Sequence, residues 1–202
     1  MFALRGARRY QYPSVILFAL MLAGPSAAAA ADTGSADERA EALSKITIDN
    51  FGQVNESYYR GAQPKGNDYA SLARVGIKTV IDLTRGGELG EQKEVEGAGM
   101  HFFRIPMTTS DRPDQNAVVQ FLKLVNDPAN QPVYVHCQGG RHRTGVMTAV
   151  YRLTHDNWTA ERAFAEMRQY QFDKGFGHGA LKQFMFDYYE KLKRTITVST
   201  PE

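Results

Sequence analysis

The chain has 202 residues, 43% of them apolar, and a formal net charge of +2. That length suits one domain with a core of its own. No single-sign field marks a nucleic-acid binder or an anionic-membrane protein, and the plentiful Tyr and Phe speak for a folded enzyme over a disordered tail.

The N-terminus reads as a secretory signal. Arg5, Arg8 and Arg9 precede an apolar run from Val15 to Gly24, and a run of alanines before Asp32 offers Ala-x-Ala cleavage points. An apolar run of about ten residues is too short to cross a bilayer. The expectation is a signal peptide over 1–31 and an exported protein, periplasmic or secreted. Losing the three arginines takes the formal charge from +2 to −1. Residues 32–45 are polar and Ala-rich and read as a flexible lead-in, with 46–198 as the folded domain.

Ile46 to Val54 alternates apolar and polar residues, as a strand does, and Asn55 to Pro64 reads as a short strand ending in a turn. Asn67 to Val75 is a predicted helix with Gly76 as its stop. Ile77 to Leu83 is β-branched and reads as a buried strand. Glu88 to Ala98 is predicted helical, and Met100 to Met107 is a second buried strand. A polar loop, Thr108 to Asp114, leads to a helix with Val118, Phe121, Leu122 and Val125 on one face. Pro132 to His136 is a third buried strand and runs straight into Cys137. Helices follow from Thr144 to about His155, from a cap at Asn157 or Thr159 to about Tyr170, and from Ala180 to about Arg194. Strands alternating with helices imply a single α/β domain with a mainly parallel sheet of four to five strands, one face covered by the C-terminal helices.

Cys137 is the only cysteine, so no internal disulfide is available. A lone cysteine is ordinarily a small buried apolar residue; its neighbours point elsewhere. In His136-Cys137-Gln138-Gly139-Gly140-Arg141-His142-Arg143-Thr144-Gly145, a strand turns into a helix. Such a turn directs successive N–H groups inward, and the helix start adds unpaired donors and the positive end of its dipole. This makes a cup for a tetrahedral dianion. Gly139 and Gly140 permit a tight bend and close approach, and Arg143 can fork onto two phosphate oxygens. The same cup favours an ionised thiol, whereas a free cysteine is only roughly 3% thiolate at neutral pH. An ionised sulfur there suits covalent phosphoryl transfer.

The pattern His-Cys, five residues, Arg-Thr-Gly resembles the signature of the protein tyrosine and dual-specificity phosphatase superfamily. Tyr59-Arg60-Gly61-Ala62-Gln63-Pro64 is similar to the opening motif of its small bacterial members. Asn130-Gln131-Pro132, together with His136-Cys137 and Arg141-His142-Arg143, resembles the plant and fungal atypical branch. The resemblance implies that Cys137 is the nucleophile of a cysteinyl-phosphate intermediate, that Arg143 binds substrate and stabilises the transition state, and that Thr144 bonds the thiolate. Gln138, Gly139, Gly140, Arg141 and His142 would complete the phosphate-binding loop, with His136 orienting it. The superfamily's acid is an Asp on the loop after the preceding strand. Asp111 fits that role, while Asp114 fits a helix cap.

Lys174 and His178 lie on a Gly-rich loop that can fold over the site. With Arg141 and His142 they add positive charge at the rim, which suits a multiply phosphorylated ligand. The expected substrate is therefore a phosphoprotein, chiefly phosphotyrosine, or alternatively an inositol polyphosphate or phosphoinositide, acted on by a monomer. The rival from another class is an inactive phosphate-binding module; such descendants lose the Cys, the Arg or the acid, and this chain keeps a candidate for each. No cofactor, metal, nucleic acid or lasting membrane insertion is expected.

Overall fold

The computed structural model describes residues 28–198. The expected signal peptide over 1–31 lies almost wholly outside the described residues. Helix α1 spans Ala28–Ser44, followed by β1 (Gly52–Asn55), β2 (Tyr58–Gly61), α2 (Asp68–Val75), β3 (Thr79–Thr84) and α3 (Glu91–Gly97). Then come β4 (His101–Met107), α4 (Gln115–Asn126), β5 (Val133–His136), α5 (Arg143–His155), α6 (Ala160–Gln169) and α7 (Gly179–Val198).

The strands form one sheet in the order β1-β2-β5-β3-β4. Only the β1–β2 pair is antiparallel; β2, β3 and β4 run parallel with β5 or its neighbour. Parallel strands send their C-terminal loops to one edge, where α/β proteins place their sites. With β5 central, the Cys137 loop emerges between the loops that follow β2 and β3.

Side-chain alternation along the strands divides the core into two layers. Tyr58, Ile81, Leu83, Val133 and Val135 join the layer under α4 to α7, including Phe121, Val146, Met167 and Leu181. Tyr59, Val80 and Tyr134 face the other way, against Leu43, Leu72 and Val95. The C-terminal helices thus cover one face, as the pattern implies. Phe121 is fully buried, so Phe121→Ala would cost about 3–5 kcal/mol. Among the described residues, no helix is long and apolar enough to cross a membrane.

Two segments differ from the reading of the pattern. Residues 32–45, expected to be a loose lead-in, belong to α1 up to Ser44. Ala-rich sequence favours helix, and tertiary contacts anchor it: Arg39 donates to the Glu56 carbonyl at 3.2 Å and to the Tyr59 hydroxyl at 3.0 Å. The strand expected from Ile46 begins only at Gly52, because Asn50 turns the chain with φ 53°.

Candidate active site

The site is built at the β5–α5 junction. Cys137 follows the last residue of β5 and is buried, 2% exposed. Gly140 has φ 64°, and a Cβ there would lie 2.5 Å from the Gly61 carbonyl carbon. Only glycine fits this backbone-on-backbone contact with the end of β2. Arg143 opens α5, and its Nη1 donates to the Met107 carbonyl at 3.3 Å, which aims the guanidinium across the end of β4.

Burial alone would push the Cys137 thiol upward. The Thr144 hydroxyl, the Arg143 charge, and the N–H groups of Thr144 and Gly140 outweigh it, so the thiol lies below its usual value. The Thr144 hydroxyl is buried and has no partner other than this sulfur. This combination favours the thiolate, the form that attacks, at a buried position.

A cleft of about 440 Å³ opens beside the cup, with Gln63, Arg85, Gly86, Gly87, Met107, Thr108, Gln138 and Arg143 in its walls. Arg85 was not singled out from the sequence, where it is one polar residue in a loop. Here it faces the same cleft as Arg143.

His136 is fully buried, as a residue that orients the loop would be. Its Nε2 lies 3.0 Å from Glu91 Oε1, off the line of the ring N–H. Glu91 also accepts from Gln63 Nε2, in the Tyr59–Pro64 motif. Asp82, Glu91 and His136 bring ligand atoms within 4.8 Å of one another. Arg104 supplies positive charge to this group, 2.7 Å from Asp82 and 3.7 Å from Glu91. Glu91 and Arg104 were missed in the sequence, since a polar residue on a short helix or in the middle of a strand gives no sign of the partners it meets.

His142 faces away from the cup. Its ring stacks on His178 at 4.2 Å, and its Nε2 donates to the Lys174 carbonyl at 2.8 Å. Burial first, then the neighbouring His178, hold its pKa below the usual imidazole range. The structure therefore docks the Gly-rich loop onto the signature loop through His142. Lys174 takes part through its backbone, and its side chain is exposed. The Arg141 side chain leans over Gly139.

Asp114 caps α4, its carboxylate accepting the Asn116 N–H at 3.0 Å. Asp111 sits on the exposed loop, accepts from the Thr108 hydroxyl at 2.7 Å and lies 3.7 Å from Arg85. It is not itself a cleft-lining residue, but both of its partners are.

A family model described as "DSP-PTPase phosphatase fused to NAD+ Kinase" matches residues 42–184. The chain belongs to this phosphatase family. The match takes in β1 to β5, α5, α6 and the start of α7, and so includes the whole cup. Among curated relatives of this phosphatase, the dual specificity protein phosphatase TpbA of Pseudomonas aeruginosa is 29% identical over 168 residues, covering 81% of this chain and 71% of the relative. The inositol diphosphatase SIW14 of Saccharomyces cerevisiae is 28% identical over 156 residues, covering 72% of this chain and 52% of the relative. The solved core catalytic domain of SIW14, in complex with citrate, superposes with a TM-score of 0.63 at 25% identity, covering 75% of this chain and 93% of that one.

Proposed function

We propose that this phosphatase hydrolyses phosphate monoesters in two displacements at Cys137, chiefly on phosphotyrosyl proteins. The observation that carries the reading is the buried thiol held below its usual pKa by Thr144, Arg143 and loop amides, next in the chain to Gln138, which lines the cleft with Arg143. In the first step the thiolate attacks phosphorus. The S–P bond forms, the ester P–O bond breaks, and the leaving oxygen takes a proton from Asp111. In the second, Asp111 accepts a proton from water, the water oxygen bonds to phosphorus, and the thiolate departs with the Thr144 hydroxyl bonding it. Arg143 and the loop amides hold the equatorial oxygens, where charge spreads in the transition state.

Phosphotyrosine suits a cleft whose walls include Gly86 and Gly87, which carry no side chain to obstruct an aromatic ring, and Met107. The dual-specificity name of TpbA supports this choice. One observation favours a second reading: Arg85 and Arg143 face one cleft, an arrangement suited to a ligand with two or more phosphates, such as an inositol polyphosphate. SIW14, an inositol diphosphatase by name, supports that alternative. We also propose export, on the strength of the basic and apolar pattern of 1–31 alone; intact-mass analysis of protein recovered outside the cytoplasm would show the segment removed.

Turnover of p-nitrophenyl phosphate should fall by at least about 10⁴-fold in Cys137→Ser. Undiminished turnover would exclude the mechanism, and absence of turnover in the unaltered protein would favour an inactive binding module. A panel of phosphopeptides and inositol phosphates at equal concentration should favour the phosphotyrosyl peptides. Preference for the inositol phosphates would select the second reading.

A further inference from the structure

Three successive carbonyls of the signature loop are tied from outside. Gln138 O accepts from the Gln63 N–H at 3.3 Å, Gly139 O from Asn50 Nδ2 at 2.7 Å, and Gly140 O from Arg60 Nη2 at 2.5 Å. A trans peptide holds its C=O and the following N–H on opposite sides of one plane. Drawing these carbonyls outward therefore turns the N–H groups of Gly139, Gly140 and Arg141 the other way, into the cup. The Gly140 N–H does face the Cys137 sulfur.

Two of the three donors are unusual residues for their surroundings. Arg60 is fully buried, and among the described residues no carboxylate lies within ion-pair distance of it. Its guanidinium stacks on Tyr170, 3.9 Å from the ring centroid, and its Nε and Nη1 have no partner. Desolvation lowers its pKa, and among the groups that act against this are Glu166 and Cys137. Glu166 is already occupied by three hydrogen bonds from Arg152. A buried cation without a carboxylate is poorly tolerated unless another anion offsets it. Besides Glu166, the anionic group that acts on Arg60 is the Cys137 sulfur, at the base of the loop whose carbonyl Arg60 holds. Asn50 holds φ 53°, a conformation uncommon outside glycine. The turn that carries it is fixed by the Ala62 N–H, which donates to the Asp49 carbonyl at 2.8 Å.

We propose that Arg60 and Asn50 form an outer clamp that keeps the signature loop's amides pointed inward, and that Arg60 is the buried countercharge of the anion in the cup. Both are positioning residues that act through Gly139 and Gly140 without touching substrate. The clamp also accounts for two residues of the Tyr59–Pro64 motif, since Arg60 and Gln63 hold two of the carbonyls; Gly61 serves a separate end, leaving room for the Tyr134 hydroxyl that donates to the Ala62 carbonyl. The proposal rests on the phosphate-binding reading of the cup.

The test is binding of inorganic phosphate by titration calorimetry, with Cys137 ionisation followed in parallel by pH-dependent alkylation. Arg60→Met keeps an apolar stem and removes the charge. It should weaken phosphate binding by about tenfold or more and raise the thiol's titration midpoint by about one unit. Arg60→Lys, which restores the charge without the fork, should recover part of both. Asn50→Gly keeps the backbone conformation and removes the amide; it should weaken phosphate binding by about threefold to fivefold. A folded Arg60→Met with unaltered phosphate affinity and thiol midpoint overturns the clamp. Should Arg60→Met not fold, Asn50→Gly decides, and unaltered affinity there overturns it. A native protein that binds phosphate but does not hydrolyse p-nitrophenyl phosphate sinks the catalytic reading alone.

Discussion

The signature loop and the Thr108–Pro113 loop both border the cleft, yet they are held in contrasting ways. In the first, Cys137 and Thr144 are buried, and successive carbonyls are bonded to residues of other segments. In the second, Asp111 is two-thirds exposed and bonded within its own loop through Thr108, with Arg85 as its nearest cation. The difference fits the two roles. An anion cup works only if its dipoles are fixed before the phosphate arrives, because reorganising them during reaction would consume the advantage. An acid must meet leaving groups of different shape, and a mobile carboxylate does this better than a buried one.

The contrast can be broken from its rigid side first. Gly140→Ala places a methyl 2.5 Å from the Gly61 carbonyl carbon in a left-handed backbone. We expect destabilisation of about 2–4 kcal/mol in urea unfolding and a loss of more than about 100-fold in kcat/KM. A smaller effect on both would mean that the cup is deformable. On the exposed side, Asp111→Asn should lower kcat about 10²-fold for alkyl phosphates and much less for p-nitrophenyl phosphate, whose leaving group needs little help from an acid. Stability should scarcely change, because the ion pair with Arg85 is exposed. An equal loss on both substrates would remove Asp111 from the acid's role.

Arg85→Ala sharpens the question of substrate. It should weaken an inositol polyphosphate about tenfold and leave a phosphotyrosyl peptide nearly unaffected. Equal effects would show that Arg85 acts only on the loop. The smallest effect concerns the Lys174–Gly179 loop docked on His142. His142 has a lowered pKa in the folded protein, so the released state takes up the proton more readily. Docking is complete above the ordinary imidazole value and is lost as pH falls through the folded one. Protection of the amides of residues 174–179, measured relative to the intrinsic exchange rate at each pH, should therefore fall on acidification in the native protein and not in His142→Phe.

Much of this was legible in the sequence, for a local reason. The β5–α5 junction declares itself because strand, turn and helix start are contiguous, and Cys137, Gly140 and Arg143 all lie within that turn. β3, β4 and β5 show as short apolar runs bounded by breakers. The outer half of the site was not legible, because it is non-local. Asn50 reaches Gly139 across 89 positions and Arg60 reaches Gly140 across 80. Nothing in the residues around Glu91 signals that it is turned inward towards His136. The helix over 28–44 was missed because polarity suggested looseness, whereas Arg39 and Leu43 tie it to the sheet. His142 reads as a cation for substrate on composition, and its engagement by His178 appears only when the Gly-rich loop folds back.

The central claim is an ionised sulfur in a preformed anion cup, and the most direct measurement is the rate of Cys137 alkylation by iodoacetamide as a function of pH. Because the folded thiol is depressed, reactivity should persist below the free-cysteine midpoint of about 8.5 and vanish only as pH falls through the lower folded value. Saturating phosphate should protect the thiol. A midpoint at or above that of free cysteine, with no protection by phosphate, would contradict the account.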